Sequence, residues 1–134
     1  MKYQTISTKI PKGAKMYTPT KNYYEVKSDP AELEAFELAA QEASQERFVE
    51  GLHNEGFVTA EEAKAHLLKL GEVRELDARC IMAAGFARNT RANAGKPDLY
   101  PEVSFMLLVD AYAIEKHIDV LKSAIKELTE AKKA

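Results

Sequence analysis

Tryptophan is absent from this 134-residue chain, cysteine occurs once and histidine three times, and each scarcity removes a class of explanation. A single cysteine, Cys80, cannot close an internal disulfide, and it fits a reducing compartment. With no second thiol, a structural zinc of the Cys/His kind lacks a ligand set. His53, His66 and His117 do not share a metal-binding spacing such as HExxH, so no metal and no cofactor are expected. No apolar run approaches the roughly 18 residues that span a bilayer. The opening "MKYQTISTKIPKG" has no apolar core of a secretory signal. The expectation is a cytoplasmic protein without membrane contact. No glycine-rich phosphate loop follows a strand-like segment, which leaves nucleotide binding of that kind unsupported.

Charge is plentiful, and it is blocked along the chain. The formal net charge is −2, yet residues 1–28 hold six lysines against Glu25 alone. Residues 29–77 hold thirteen acids against four bases, and residues 78–97 hold four bases and no acid. The basic N-terminal block and the acidic block after it attract each other, within one chain or between copies.

The size is that of one domain with a core sufficient to fold without staples. Residues 1–28 read as an arm. "YQTISTKI" and "NYYEV" favour extended backbone, and "IPKGAK" and "TPTKN" supply turns, so a β-hairpin or extended arm is expected. Residues 29–134 read as helical. Asp29 is an N-cap, Pro30 suits the first helical position and Glu32 suits a capping box; the helix is expected to reach about Leu52. Leu33, Phe36, Ala40 and Ala43 share one face, while Leu38, Phe48, Val49 and Leu52 lie opposite, which predicts burial on two sides.

"TAEEAKAHLLKLG" predicts a short second helix between Thr59 and Gly71, with Glu62 completing a capping box and Ala63, Leu67 and Leu70 inward. A third helix from about Glu72 places Val73, Leu76, Cys80, Ala84 and Ala87 on one face, and its "NTRANAG" end is expected to fray. After "KPDLYP", with Asp98 or Tyr100 capping, a long fourth helix repeats Leu107, Ile114, Leu121 and Leu128 every seventh residue, reinforced by Ile118 and Ile125. The predicted fold is mainly α: an antiparallel four-helix bundle-like domain preceded by the arm.

Two constellations bear on binding. The stretch "GFARNTRANAGKP" brings Arg88, Arg91 and Lys96 together, and guanidinium groups fork onto phosphate or carboxylate oxygens. Cations also favour a helix C-terminus, so the first reading is a helix corner in which Arg91, on the core side of its helix, pairs with Glu102. In the arm, Lys12, Lys15, Tyr17, Tyr23 and Tyr24 interleave cation and aromatic ring. That combination suits single-stranded nucleic acid, but the acidic first helix is the nearer counter-charge and favours a protein interface.

Asp110 and His117 are seven residues apart on the seam of the last helix, and such buried polar residues most often fix helix register. With Cys80 they form a conceivable nucleophilic set, against which stand the apolar neighbours of the thiol. Glu75 with Arg79 is an i,i+4 pair. The spacing of Glu34 and Glu37, with Glu72, Glu75 and Asp77, resembles the paired ExxE pattern of helical nucleotide pyrophosphohydrolases. That resemblance implies magnesium-dependent nucleotide hydrolysis, but the lysine and asparagine residues that handle phosphates have no clear place here.

The expected function is therefore non-enzymatic macromolecular binding, as an adaptor, inhibitor or structural component. It would use protein contacts of the arm and the last helix, with self-association into a homo-oligomer. The alternative is nucleic-acid binding through the arm and the Arg88–Arg91 corner, and the distant alternative is the magnesium-dependent hydrolase. Size and make-up suggest a phage or mobile-element source.

Overall fold

A computed structural model describes residues 29–133, all four of whose regular elements are helices. They are α1 (Pro30–Asn54), α2 (Ala60–Leu70), α3 (Val73–Ala94) and α4 (Pro101–Lys133). The expected arm, with Lys12, Lys15, Tyr17, Tyr23 and Tyr24, lies outside the described residues.

The helix boundaries follow local chemistry. Asp29 stands in extended backbone, and its Oδ1 accepts hydrogen bonds from the N–H groups of Ala31 and Glu32 at 3.1 and 3.3 Å. Two otherwise orphaned donors of α1 are thereby satisfied. At α2, Thr59 Oγ1 accepts from the Glu62 N–H at 3.2 Å. The Glu62 carboxylate reaches back to the N–H of Val58, one residue before the cap, at 2.9 Å. Gly71 ends α2 with φ +67, a left-handed conformation that costs glycine nothing. At α3, Glu72 makes no side-chain cap, and Arg79 bonds Glu75 at 2.8 Å one turn in. The "NTRANAG" end does not fray before Ala94, because Thr90 and Ala94 are buried there. Tertiary packing outweighs weak propensity.

The longest helix is the spine. At 1.5 Å per residue, the 33 residues of α4 span about 50 Å, and α1, α2 and α3 all pack against it. Two clusters lie along it. The first joins Phe36, Ala40 and Ala43 of α1 to Phe105, Leu108 and Val109 of α4. Its centre is an edge-to-face pair, Phe36 on Phe105, with centroids 5.5 Å apart at 84°. The second joins Leu67 of α2 and Leu76 of α3 to Leu121 and Ala124 of α4. Lys64 of α2 adds an ion pair with Glu127.

Three expectations change. The bundle is not antiparallel throughout: α3 runs against α4, but α1 runs with it, since Phe36 meets Phe105, Arg47 meets Asp110, and Glu55 shares a cavity with His117. The cause is the brevity of α2. Eleven residues reach only about 16 Å, too little to carry the chain back along α4. Leu38 and Leu70 were placed inward by periodicity but are 52% and 40% exposed. Neither has a helix opposite it among the described residues, where α1 is covered continuously on the Phe36 side, with Leu52 buried at its far end.

Candidate functional site

Because α2 covers only the C-terminal half of α4, the N-terminal half is flanked, among the described residues, by α1 and α3, and a furrow remains between them. Its upper part is a cavity of about 330 Å³ between Arg47 on α1, Phe86 and Thr90 on α3, and Leu107, Asp110 and Ile114 on α4. The middle part, about 210 Å³, adds Phe48 and Gly51 of α1 over the same Ala113 and Ile114 floor. The lower part, about 410 Å³, lies among Glu55, Phe57, His66, Arg79 and His117. Adjacent parts share residues, so the furrow is continuous along α4. Leu107 and Ile114 of the heptad seam lie in its floor, only partly buried, whereas Leu121 is closed over by α2 and α3.

The polar pair expected on this seam is divided between two surroundings. Asp110 is half-buried and forms an ion pair with Arg47 at 2.9 Å, which ties α1 to α4 across the furrow floor. His117 faces the middle and lower cavities, near Glu55 in both. His66 borders the lower cavity with its ring 5.5 Å from that of Phe57. The joint presence of His66, His117, Glu55 and Arg79 was not legible in the sequence, because four separate elements supply them. This end of the furrow has hydrogen-bonding groups of both signs, and the rest is mostly apolar.

Cys80 does not join Asp110 and His117 in a nucleophilic site. It packs beside the Leu76–Leu121 cluster, and Asp110 is committed to Arg47. Burial raises the Cys80 pKa, against the opposing effect of Lys122, which disfavours the reactive thiolate. Among the described residues, no group of three His, Cys, Asp or Glu side chains converges as metal ligands. The carboxylates of α1 and α3 that resemble an ExxE pair belong to helices that each pack on α4.

The arginine corner is also divided. Arg91 binds Glu115, not Glu102: its guanidinium donates to Glu115 Oε2 at 2.7 Å and lies 4.6 Å from the centroid of the Tyr112 ring. Side chains of a helix lean toward its N-terminus. On antiparallel helices Arg91 and Glu115 therefore lean toward each other, while Glu102 leans away toward the corner. Burial is the largest single influence on the Arg91 charge and opposes it. The hydrogen bond and negative charge of Glu115, with the neighbouring Tyr112, together outweigh burial, so its pKa rises. Arg88 and Lys96 are exposed and make no ion pair among the described residues.

No family model, curated protein or solved structure matches this chain. The function must be argued from the surfaces themselves. No described helix is long and apolar enough to cross a membrane.

Proposed function

We propose that the chain is a non-enzymatic binding protein that holds a segment of protein in the furrow along α4. The observation that carries this reading is the half-filled seam. Leu107 and Ile114 continue the heptad that Leu121 uses inside the core, yet no helix among the described residues lies over them. A seam of this kind is completed by one more helix or extended strand of apolar residues. The favoured occupant is basic as well as apolar. Residues 29–54, whose Arg47, Phe48, Gly51 and Leu52 line one side of the furrow, carry seven acids against Arg47 alone; these acids lie outside the lining, and their field steers a basic segment toward it.

Residues 1–28 of this chain have that composition, with six lysines spaced among tyrosine, isoleucine and valine. They provide a defined probe. A fluorescent peptide of this sequence, added to the full chain, is expected to bind with an affinity that falls as salt is added. Ile114→Lys, which puts a cation in the furrow floor, should weaken binding at least about tenfold, while Thr129→Lys on the exposed end of α4 should not. Absence of binding, or binding indifferent to Ile114→Lys, contradicts the proposal. Nucleic-acid binding is the less favoured reading, because Arg91 is committed to Glu115 and only Arg88 and Lys96 remain open at the corner.

A further inference from the structure

The outer face of α3 has a composition that its contacts among the described residues do not explain. From Cys80 to Ala87 the helix contains no charged residue, although much of this stretch faces solvent. Ile81, Met82 and Phe86 are 73, 75 and 63% exposed. A helix face turned to water ordinarily carries charge, and clustered exposed apolar side chains mark a contact surface.

Along the middle of this face run Ala78, Gly85 and Ala92, one every seventh residue. Gly85 is informative. Glycine inside a helix costs about 1 kcal/mol relative to alanine, so it normally relieves a close contact. Here a Cβ would meet only the guanidinium tip of Arg88, at an ordinary 3.9 Å. Nothing among the described residues calls for the missing side chain. A small-residue row flanked by large apolar side chains is a groove into which the ridge of another helix fits closely.

The flanking charges indicate what that helix is. Asp77 and Arg88 lie eleven residues apart on the same flank of the face, one at each end of the uncharged run. Neither makes an ion pair among the described residues. In an antiparallel helix pair, residues on the same flank meet each other. A two-fold axis near Met82 would place Asp77 of one copy beside Arg88 of the other, and the same pair again on the far side. It would also bring Ala78 near Gly85, with Ile81 facing its own copy on one flank and Met82 facing its own copy on the other.

We propose that this face docks a second copy of the chain, α3 against α3, antiparallel about that axis. Such an isologous contact closes on itself and stops at a dimer. It shares Phe86 with the upper cavity of the furrow, but Asp77, Met82 and Arg88 line no part of that furrow, so either surface can be disrupted without the other. One helix pair buries less than the roughly 1,600 Å² of a standard interface, which sets the expected dissociation constant in the micromolar range.

Sedimentation equilibrium of the full chain, from about 1 to about 500 μM, is the test. The wild type should dimerise. Asp77→Arg, which sets arginine against Arg88, should raise the dissociation constant at least about tenfold, and Arg88→Asp should do likewise. The double exchange should restore it to within about threefold of wild type. Met82→Glu should abolish the dimer. All of these positions are exposed, so unchanged helical circular dichroism would show that the variants fold. A wild type monomeric at the highest concentration overturns the proposal. So does a dimer that survives Met82→Glu, or one for which the double exchange gives no rescue.

Discussion

Replacing Arg91 by alanine distinguishes a structural arginine from a ligand-binding one. Arg91 makes two contacts whose magnitudes can be bounded. The ion pair with Glu115 is geometrically good at 2.7 Å, but its side chains are 36 and 44% exposed. Solvent screening therefore limits it to about 0.5 kcal/mol. The guanidinium over Tyr112, 4.6 Å from the ring centroid, contributes about 0.5–1 kcal/mol. The aliphatic stem of Arg91 covers part of the α3·α4 contact and adds a few tenths. Arg91→Ala should then destabilise the fold by about 1–2 kcal/mol. Urea unfolding should show this as a lower midpoint at an unchanged slope, because the same surface is exposed on unfolding. Glu115→Gln should lose only the ionic part, and the double variant should show coupling of about 0.5 kcal/mol. Added salt should weaken the Glu115 contribution more than the Tyr112 contribution. An Arg91→Ala midpoint indistinguishable from wild type would refute the assignment and return Arg91 to the ligand-binding groups of the corner.

Four further outcomes follow from single features of the structure. Phe105→Leu should cost about 1–3 kcal/mol in thermal or urea unfolding, because it ends the edge-to-face contact with Phe36 in a fully buried site. Ser104→Ala should be neutral or stabilising in the same assays, since the buried Ser104 hydroxyl has no hydrogen-bond partner among the described residues; a loss above about 1 kcal/mol would show that it has one. Thr59→Ala should cost about 1 kcal/mol and accelerate hydrogen exchange first at the opening turn of α2, whose Glu62 N–H it leaves uncapped. The raised pKa of Cys80 means that the fold favours the neutral thiol. The resulting stabilisation is complete below the unfolded-state pKa and is lost as pH rises through the higher folded one. Urea midpoints should therefore fall over that alkaline range, and should not do so in Cys80→Ala.

Features governed by a few neighbouring residues were legible in the sequence. Asp29, Thr59 with Glu62, Gly71 and the Glu75–Arg79 pair occupy the places that capping and i,i+4 rules assign them. Features that depend on helix placement were not. Periodicity put Leu38 and Leu70 inward because it reports which residues share a face, not whether another helix stands opposite. The direction of α1 depends on how far the short α2 can carry the chain, which no local motif encodes. The inner side of α3 is legible for Arg91 from its place on the helical wheel, but its partner is not: Glu115 lies three to four turns of α4 beyond Glu102, and the lean of side chains on facing helices decides which carboxylate it meets. At the furrow, the heptad of α4 was visible, and the openness of its first half was not. That openness arises from the length of α2 and the separation of α1 from α3.

The central claim is that the seam of α4 between α1 and α3 is a protein-docking surface. A photo-crosslinking residue at position 113, in the floor of the furrow, tests it most directly when placed in the full chain and activated in source-cell lysate. The same residue at exposed position 129 is the control. Adducts are expected specifically at position 113 and should map, by mass spectrometry, to one basic, apolar-rich protein segment, whether residues 1–28 of this chain or part of another protein. Quenching by water alone at position 113, or the same scattered adducts at both positions, would contradict it.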